Sequence, residues 1–101
     1  MGAYAKAETV YTRALELRRQ TIGTAHRDFA SNLQSLGAVY HSERRFEEAE
    51  SLYKRAIEIR KTTLGESHHE YATGLHSLGA LYRDVGRLAE AEEPLEQARS
   101  I

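Results

Sequence analysis

The chain has 101 residues, of which 41% are hydrophobic and 29% charged, a composition that suits one helical domain with a modest core. Its formal net charge of −1 includes no tract of lysine or arginine, so neither nucleic acid nor a membrane is an expected partner. The absence of cysteine excludes disulfides and thiolate zinc sites, and no apolar run approaches the roughly 18 residues of a membrane span. We expect a cytoplasmic protein.

A repeat of 42 residues organises the sequence. The segment from Ala7 to Arg18 returns from Ala49 to Arg60, and a third partial copy begins at Ala91. Two whole periods and a remainder fill the chain, which therefore begins and ends inside a repeat. We interpret it as a fragment of a larger protein.

Five helices are predicted in chain order within a single domain, 1–101, at about residues 3–21, 27–43, 45–63, 69–85 and 87–101. Each period holds two of them, because apolar residues recur at helical spacing on both sides of a short polar break. Gly37 and Gly79 lie in the apolar stripes of the second and fourth helices, where a small residue permits close packing of a neighbour. The pattern predicts a series of helical hairpins.

Glycine marks several of the connections. Gly23 and Gly65 suit left-handed positions after a helix, with loops at 22–26 and 64–68. Arg44 stands where the next copy has the turn glycine Gly86, so we expect the first of these turns to be less regular.

The order L-x-x-L-G-x-x-Y followed by A-x-x-x-Y-x-x-A resembles the tetratricopeptide repeat signature, and the 42-residue period resembles that of kinesin light chains. The residues that carry the resemblance are Leu33, Leu36, Gly37, Tyr40, Ala49, Tyr53 and Ala56. It implies an all-α, right-handed superhelix in which the first helix of each hairpin lines a concave groove for a peptide or helix of a partner protein.

Two departures limit what the resemblance transfers. Kinesin light chains carry paired asparagines in the first helix, whereas the pairs here are Gln34-Ser35 and His76-Ser77, so their mode of gripping a peptide backbone is not implied. The lysine and asparagine set with which related repeats hold the carboxylate of chaperone tails is also absent.

The sequence gives little evidence of metal binding or catalysis. The five histidines, His26, His41, His68, His69 and His76, form no metal-binding motif, and His26 and His68 occupy equivalent turn positions that indicate a structural role. No serine or threonine lies in a nucleophile turn. We predict a protein that is not an enzyme, with no catalytic residue, metal site or cofactor.

Partner-binding residues are predicted on the polar side of the second and fourth helices, away from their leucine and tyrosine stripes. These residues are Ser31, Gln34, Ala38, His41, Thr73, His76, Ala80 and Arg83. Aligned in adjacent helices, they would form a polar, weakly basic groove for an acidic or polar segment.

The favoured function is a scaffold that binds a peptide or helical segment of another protein in this groove. One alternative is self-assembly through exposed repeat ends, with Tyr4, Ala7, Tyr11 and Ala14 bare at one end and Leu95 or Ile101 partly exposed at the other. Another is a regulatory domain of a multidomain enzyme or signalling protein, and a designed array is disfavoured because the repeats differ at many positions.

Overall fold

The computed structural model describes the backbone of residues 2–21 and 27–101, and the side chains of 7–17 and 28–101. Five α-helices follow in chain order: α1 (Gly2–Thr21), α2 (Arg27–Ser42), α3 (Phe46–Leu64), α4 (His69–Asp84) and α5 (Leu88–Ser100). The described residues contain no strand, and the predicted all-α solenoid of antiparallel helices is confirmed. None of these helices is long and apolar enough to cross a membrane.

Two kinds of contact build the stack. α2 packs against α3, and α4 against α5, as the two hairpins. α1 packs against α2, and α3 against α4, and we call these two contacts the seams because each joins one repeat to the next. The resulting molecule is flat, with principal extents of 35 × 32 × 16 Å, so every helix lies near a surface.

The core follows the predicted stripes and consists of two apolar clusters. The first contains Phe29, Ala30, Leu33 and Ala56, with the half-buried Leu15, Leu52 and Ile59 packed against it. The second contains Ala49, Tyr53, Leu78, Leu81, Tyr82 and Ala91, with the half-buried Tyr40, Phe46, Ile57 and Leu95 packed against it. Each cluster contains residues of a hairpin and of a neighbouring helix across a seam, so the core of one repeat extends onto the next.

Close packing within each hairpin depends on a glycine. A Cβ built on Gly37 would lie 2.9 Å from the ring of Tyr53, and one built on Gly79 would lie 2.6 Å from Leu95 Cγ. Both distances are shorter than carbon atoms tolerate, so the second helix of the hairpin would have to move. The packing role expected for these glycines therefore operates inside the hairpin.

The turns have one backbone plan, which corrects the expectation of an irregular first turn. Arg44 has a φ of 64° and Gly86 a φ of 83°. Arg45 N–H donates to Tyr40 O at 2.8 Å, as Arg87 N–H does to Tyr82 O at 2.8 Å. The arginine adopts the left-handed conformation because the surrounding hydrogen bonds impose it.

The other predicted glycine turn follows α3. Gly65 has a φ of 94°, and its N–H lies 3.2 Å from Arg60 O and 3.1 Å from Lys61 O. Its ψ of 161° places it outside the left-handed helical region, so the positive φ was predicted correctly but the full conformation was not. Gly23, His26 and the loop at 22–26 lie outside the described residues.

The exposed apolar side chains of α1 are not those predicted. Ala7, Tyr11 and Ala14 are half-buried, whereas Val10 and Leu17 are 63% and 62% exposed. The equivalents of this pair in α3, Leu52 and Ile59, pack against the cluster that contains Phe29 of their hairpin partner α2. α1 has no hairpin partner among the described residues, so its positions at the same register stay uncovered. The side chain of Tyr4 is outside the described set.

Candidate functional site

The exposed side of α4 and the neighbouring side of α5 form an open groove of about 490 Å³. Three of the predicted binding residues line it from α4, namely Thr73, His76 and Arg83. The fourth predicted residue of α4, Ala80, is half-buried and does not line the groove. The remaining lining residues are Ala72, Leu95, Ala98 and Arg99. We call this surface the α4/α5 groove.

The α4/α5 groove has an apolar floor and a basic rim. Ala72, Leu95 and Ala98 supply carbon surface, while His76 and Arg83 are exposed beside it. In the described part of the chain Arg83 forms no ion pair, so its charge is available to a ligand. Arg99 lies 3.7 Å from Glu96, and both side chains are more than two-thirds exposed, so this ion pair is weak.

The equivalent residues of α2 are engaged inside the chain. Arg60 of α3 is buried, donates to Gln34 Oε1, and lies 3.4 Å from Ser31 Oγ. Gln34 Nε2 donates to Ser77 Oγ of α4 at 3.0 Å. These hydrogen bonds connect α2, α3 and α4, so Ser31 and Gln34 help to hold the repeats together.

His41 is engaged in the same way. Its Nε2 lies 2.7 Å from Asp84 Oδ2, and its Nδ1 lies 3.3 Å from the hydroxyl of Tyr53. Burial, and to a lesser degree the charge of Asp84, raise the pKa of Tyr53 to about 12, so this phenol remains neutral. Of the α2 residues predicted to bind a partner, Ala38 is the one that is exposed.

The structure therefore divides the eight predicted residues by helix. Thr73, His76 and Arg83 of α4 line an open groove. Three of those of α2 are half-buried and bonded within the chain, Gln34 and His41 to α4 and Ser31 to Arg60 of α3. The cause is the seam, because the next hairpin covers α2 and no described residue covers α4 in the same way.

A repeated polar cluster at each seam was missed from the sequence. In one seam, Tyr40 Oη donates to Glu8 at 3.0 Å, and Arg45 lies 3.2 Å from the same carboxylate. The Arg45 guanidinium also lies 4.2 Å from the centre of the Tyr40 ring. A tyrosine, an arginine and a glutamate thus join the two repeats.

The second seam has the same cluster one repeat later. Tyr82 Oη donates to Glu50 at 2.7 Å, and Arg87 lies 3.1 Å from Glu50 and 4.4 Å from the Tyr82 ring. Burial opposes ionisation of Glu50, but hydrogen bonds from Tyr82, Lys54 and Arg87 outweigh it and lower its pKa to about 2. The signal in the sequence was the identity of all three residue types between the copies.

Two of the described histidines have structural roles, His41 at a seam and His68 at a helix end. His68 Nδ1 accepts the N–H of Glu70 at 3.1 Å and so caps α4, as its turn position indicated. His68 and His69 stack with ring centres 4.6 Å apart. Among the described side chains, no group of three or more His, Asp or Glu residues could hold a metal ion.

Comparison with known proteins identifies the fold. The tetratricopeptide repeat family matches residues 1–62 and 28–101. The structure superposes on BtubC (BKLC) from P. vanneervenii with a TM-score of 0.93 and 27% identity, covering 99% of this chain and 39% of that one. It superposes on a P. anserina kinesin light chain with nearly identical TPR-like repeats with a TM-score of 0.86 and 24% identity, covering 96% of this chain and 46% of that one.

The chain thus spans less than half the length of these proteins. None of the curated proteins matches it. Domains of this family generally act as scaffolds for protein interaction and typically lack enzymatic activity. From its repeat signature, its hairpins and these matches, the chain belongs to the tetratricopeptide repeat family and is similar to the repeats of kinesin light chains.

Proposed function

We propose that the chain binds a segment of another protein through the exposed side of α4, in the α4/α5 groove. The observation that carries this proposal is the groove itself, in which the exposed His76 and Arg83 flank the apolar side chains of Leu95 and Ala98. Apolar surface supplies affinity and the charged rim supplies orientation, which is the usual composition of a protein interface.

The predicted residues contribute unequally in this proposal. Thr73, His76 and Arg83 contact the partner directly, with Ala80 beside them. Ser31, Gln34 and His41 act indirectly, because they set the position of α4 through Arg60, Ser77 and Asp84. Ala38 extends the binding face onto α2.

The test uses a library of random helical and extended peptides displayed on phage, selected against the chain. Selected peptides should bind the variant with both His76→Ala and Arg83→Ala at least about tenfold more weakly, a change of roughly 1.4 kcal/mol. A control with Glu58→Ala and Thr62→Ala changes exposed residues of α3 and should leave affinity unchanged. Circular dichroism should show equal helicity in all three proteins.

If the selected peptides bind the double variant as well as the parent protein, their site lies elsewhere and the proposal is wrong. The same conclusion follows if the control variant loses as much affinity.

A second candidate function is self-assembly, which is favoured by the exposed apolar side chains at both ends of the stack. Val10 and Leu17 are 63% and 62% exposed on α1, and Leu88 and Ile101 are 62% and 43% exposed on and after α5. Covering such surfaces stabilises association by about 25 cal/mol per Å² of apolar area before the costs of binding. Light scattering over a concentration series tests this candidate.

A further inference from the structure

The seam between α3 and α4 shows what kind of helix the repeat surface receives. A Cβ built on Gly74 of α4 would lie 2.9 Å from Cγ1 of Ile57, so the two helices are close at this point. One turn later, Ser77 Oγ accepts a hydrogen bond from Gln34 Nε2 at 3.0 Å. Along α4, Gly74 therefore packs against an aliphatic side chain, and Ser77 in the next turn forms a hydrogen bond with a side-chain amide.

Two further contacts complete the seam towards the end of α4. Tyr82 Oη donates to Glu50 at 2.7 Å, and Asp84 Oδ2 lies 2.7 Å from His41 Nε2. The four contacting residues of α4 occupy the first, fourth, ninth and eleventh positions of the segment that begins at Gly74. They define a register in which a helix docks on the preceding repeat.

One repeat later, the residues equivalent to the receiving set are all exposed. Ile57 corresponds to Arg99, Gln34 to His76, Glu50 to Glu92 and His41 to Arg83. Three of these receiving residues line or border the α4/α5 groove, and Glu92 lies on the adjoining part of α5. In the described part of the chain, no helix covers them.

The repeat changes charge at this surface. The aliphatic Ile57 becomes Arg99, the amide of Gln34 becomes the imidazole of His76, and the imidazole of His41 becomes the guanidinium of Arg83. The glutamate is retained as Glu92. A copy of α4 itself would leave Arg99 opposite a glycine. Acidic side chains at the first, fourth and eleventh positions would instead face Arg99, His76 and Arg83.

We propose that the α4/α5 groove, with Glu92, is a docking surface for an acidic amphipathic helix of another protein. The helix carries acids at positions one, four and eleven of the α4 register and a tyrosine at position nine for Glu92. Its apolar stripe lies on Leu95 and Ala98. This inference rests on the proposed function, since it names the class of partner that the same groove binds.

The probe is a fluorescent synthetic peptide with the sequence of His69–Asp84 and the changes Gly74→Glu and Ser77→Glu. A basic control peptide has the same apolar stripe but carries Gly74→Lys, Ser77→Lys and Asp84→Lys. Anisotropy titrations against the full chain should show the acidic peptide binding at least about tenfold more tightly than the basic one. Added salt should narrow that difference.

Charge reversal on the protein tests whether the acidic peptide binds in the α4/α5 groove. The variant with Arg83→Glu and Arg99→Glu should bind the acidic peptide about tenfold more weakly and the basic peptide more tightly. A control with Arg13→Glu and Lys61→Glu has the same change of net charge, places it on α1 and α3 outside the groove, and should leave both affinities unchanged. This control separates a local contact from long-range attraction.

Equal binding of the two peptides, no saturable binding, or equal effects of the two reversals would each overturn the acidic-helix proposal. The library selection keeps this outcome distinct from failure of the proposed function. If the selected peptides lack acidic residues but still need His76 and Arg83 for binding, the groove remains the binding site and only the acidic-helix proposal is wrong. Selected peptides that ignore both residues would remove the two proposals together.

Discussion

Arg44 and Gly86 occupy equivalent positions in successive repeats and have nearly the same backbone conformation, with φ values of 64° and 83°. The hydrogen bonds of the two turns also agree, since the N–H of the following arginine donates to a tyrosine carbonyl at 2.8 Å in each. A side chain with a Cβ is disfavoured at positive φ by roughly 1–2 kcal/mol. The hydrogen bonds of the turn hold Arg44 in this conformation.

The first prediction exploits this relationship. Arg44→Gly should relieve the backbone strain and raise stability by up to about 1 kcal/mol, less the weak contact of the Arg44 guanidinium with the Phe46 ring at 5.2 Å. Gly86→Ala should lower stability by about 1 kcal/mol for the same reason. Urea unfolding monitored by circular dichroism measures the change in stability of both variants, and the two changes must have opposite signs.

The turn also shows how far sequence reasoning reaches. Helix ends lie within one residue of their predicted positions, because apolar periodicity and the polar breaks between stripes are local properties. The backbone conformation of Arg44 could not be predicted in this way, because it depends on carbonyl groups whose positions are fixed by the packed helices. The expectation of an irregular turn was wrong for that reason.

The candidate site shows the same limit of prediction from sequence. Gln34 and His76 are equivalent in the repeat, and the sequence placed both on the polar side of a helix. Gln34 is half-buried because α4 covers it, whereas His76 is exposed because no described helix does so. A helical wheel assigns a face to a residue but not the element that covers that face.

The second prediction concerns close packing in the hairpins. Gly37→Leu should destabilise the chain by about 1–3 kcal/mol, because the Tyr53 ring lies 2.9 Å from the new Cβ and is held in the core. Gly79→Leu should cost less, since the half-buried Leu95 can move into the open groove. Ala38→Leu at an exposed position is the control. Equal melting temperatures for all three variants would contradict this account.

The third prediction revises the effect expected for a polar face residue. On the sequence pattern alone Gln34→Ala should cost little, but Gln34 accepts from the buried Arg60 and donates to Ser77. Its loss should therefore destabilise the chain by about 1–3 kcal/mol, because a buried guanidinium loses an acceptor. His76→Ala, at the equivalent exposed position, should change stability by less than about 0.5 kcal/mol. Matched urea titrations compare the two.

The fourth prediction is a pH dependence. The pKa of Glu50 is lowered from an ordinary 4.5 to about 2 in the folded chain, so its ionised form stabilises the fold. That contribution is fully present above about pH 4.5 and is lost as the pH falls towards 2. Glu50→Gln should lower stability at neutral pH and flatten the stability profile across this interval. A variant that keeps the parent slope would show that other carboxylates cause it.

The last prediction concerns association through the ends of the stack. Val10 on α1 and Leu88 on α5 are each more than 60% exposed, whereas their equivalents in the repeat, Leu52 and Phe46, are half-buried and pack against the core. Light scattering at about 100 μM should therefore give a mass above that of one chain, and Val10→Glu or Leu88→Glu should shift it towards the monomer. Glu58→Gln, on the exposed face of α3, is the control and should leave the mass unchanged. If one substitution alone restores the monomer, like ends pair in a closed dimer. If each does so separately, unlike ends meet, and a monomeric mass for the parent chain throughout the series would exclude both arrangements.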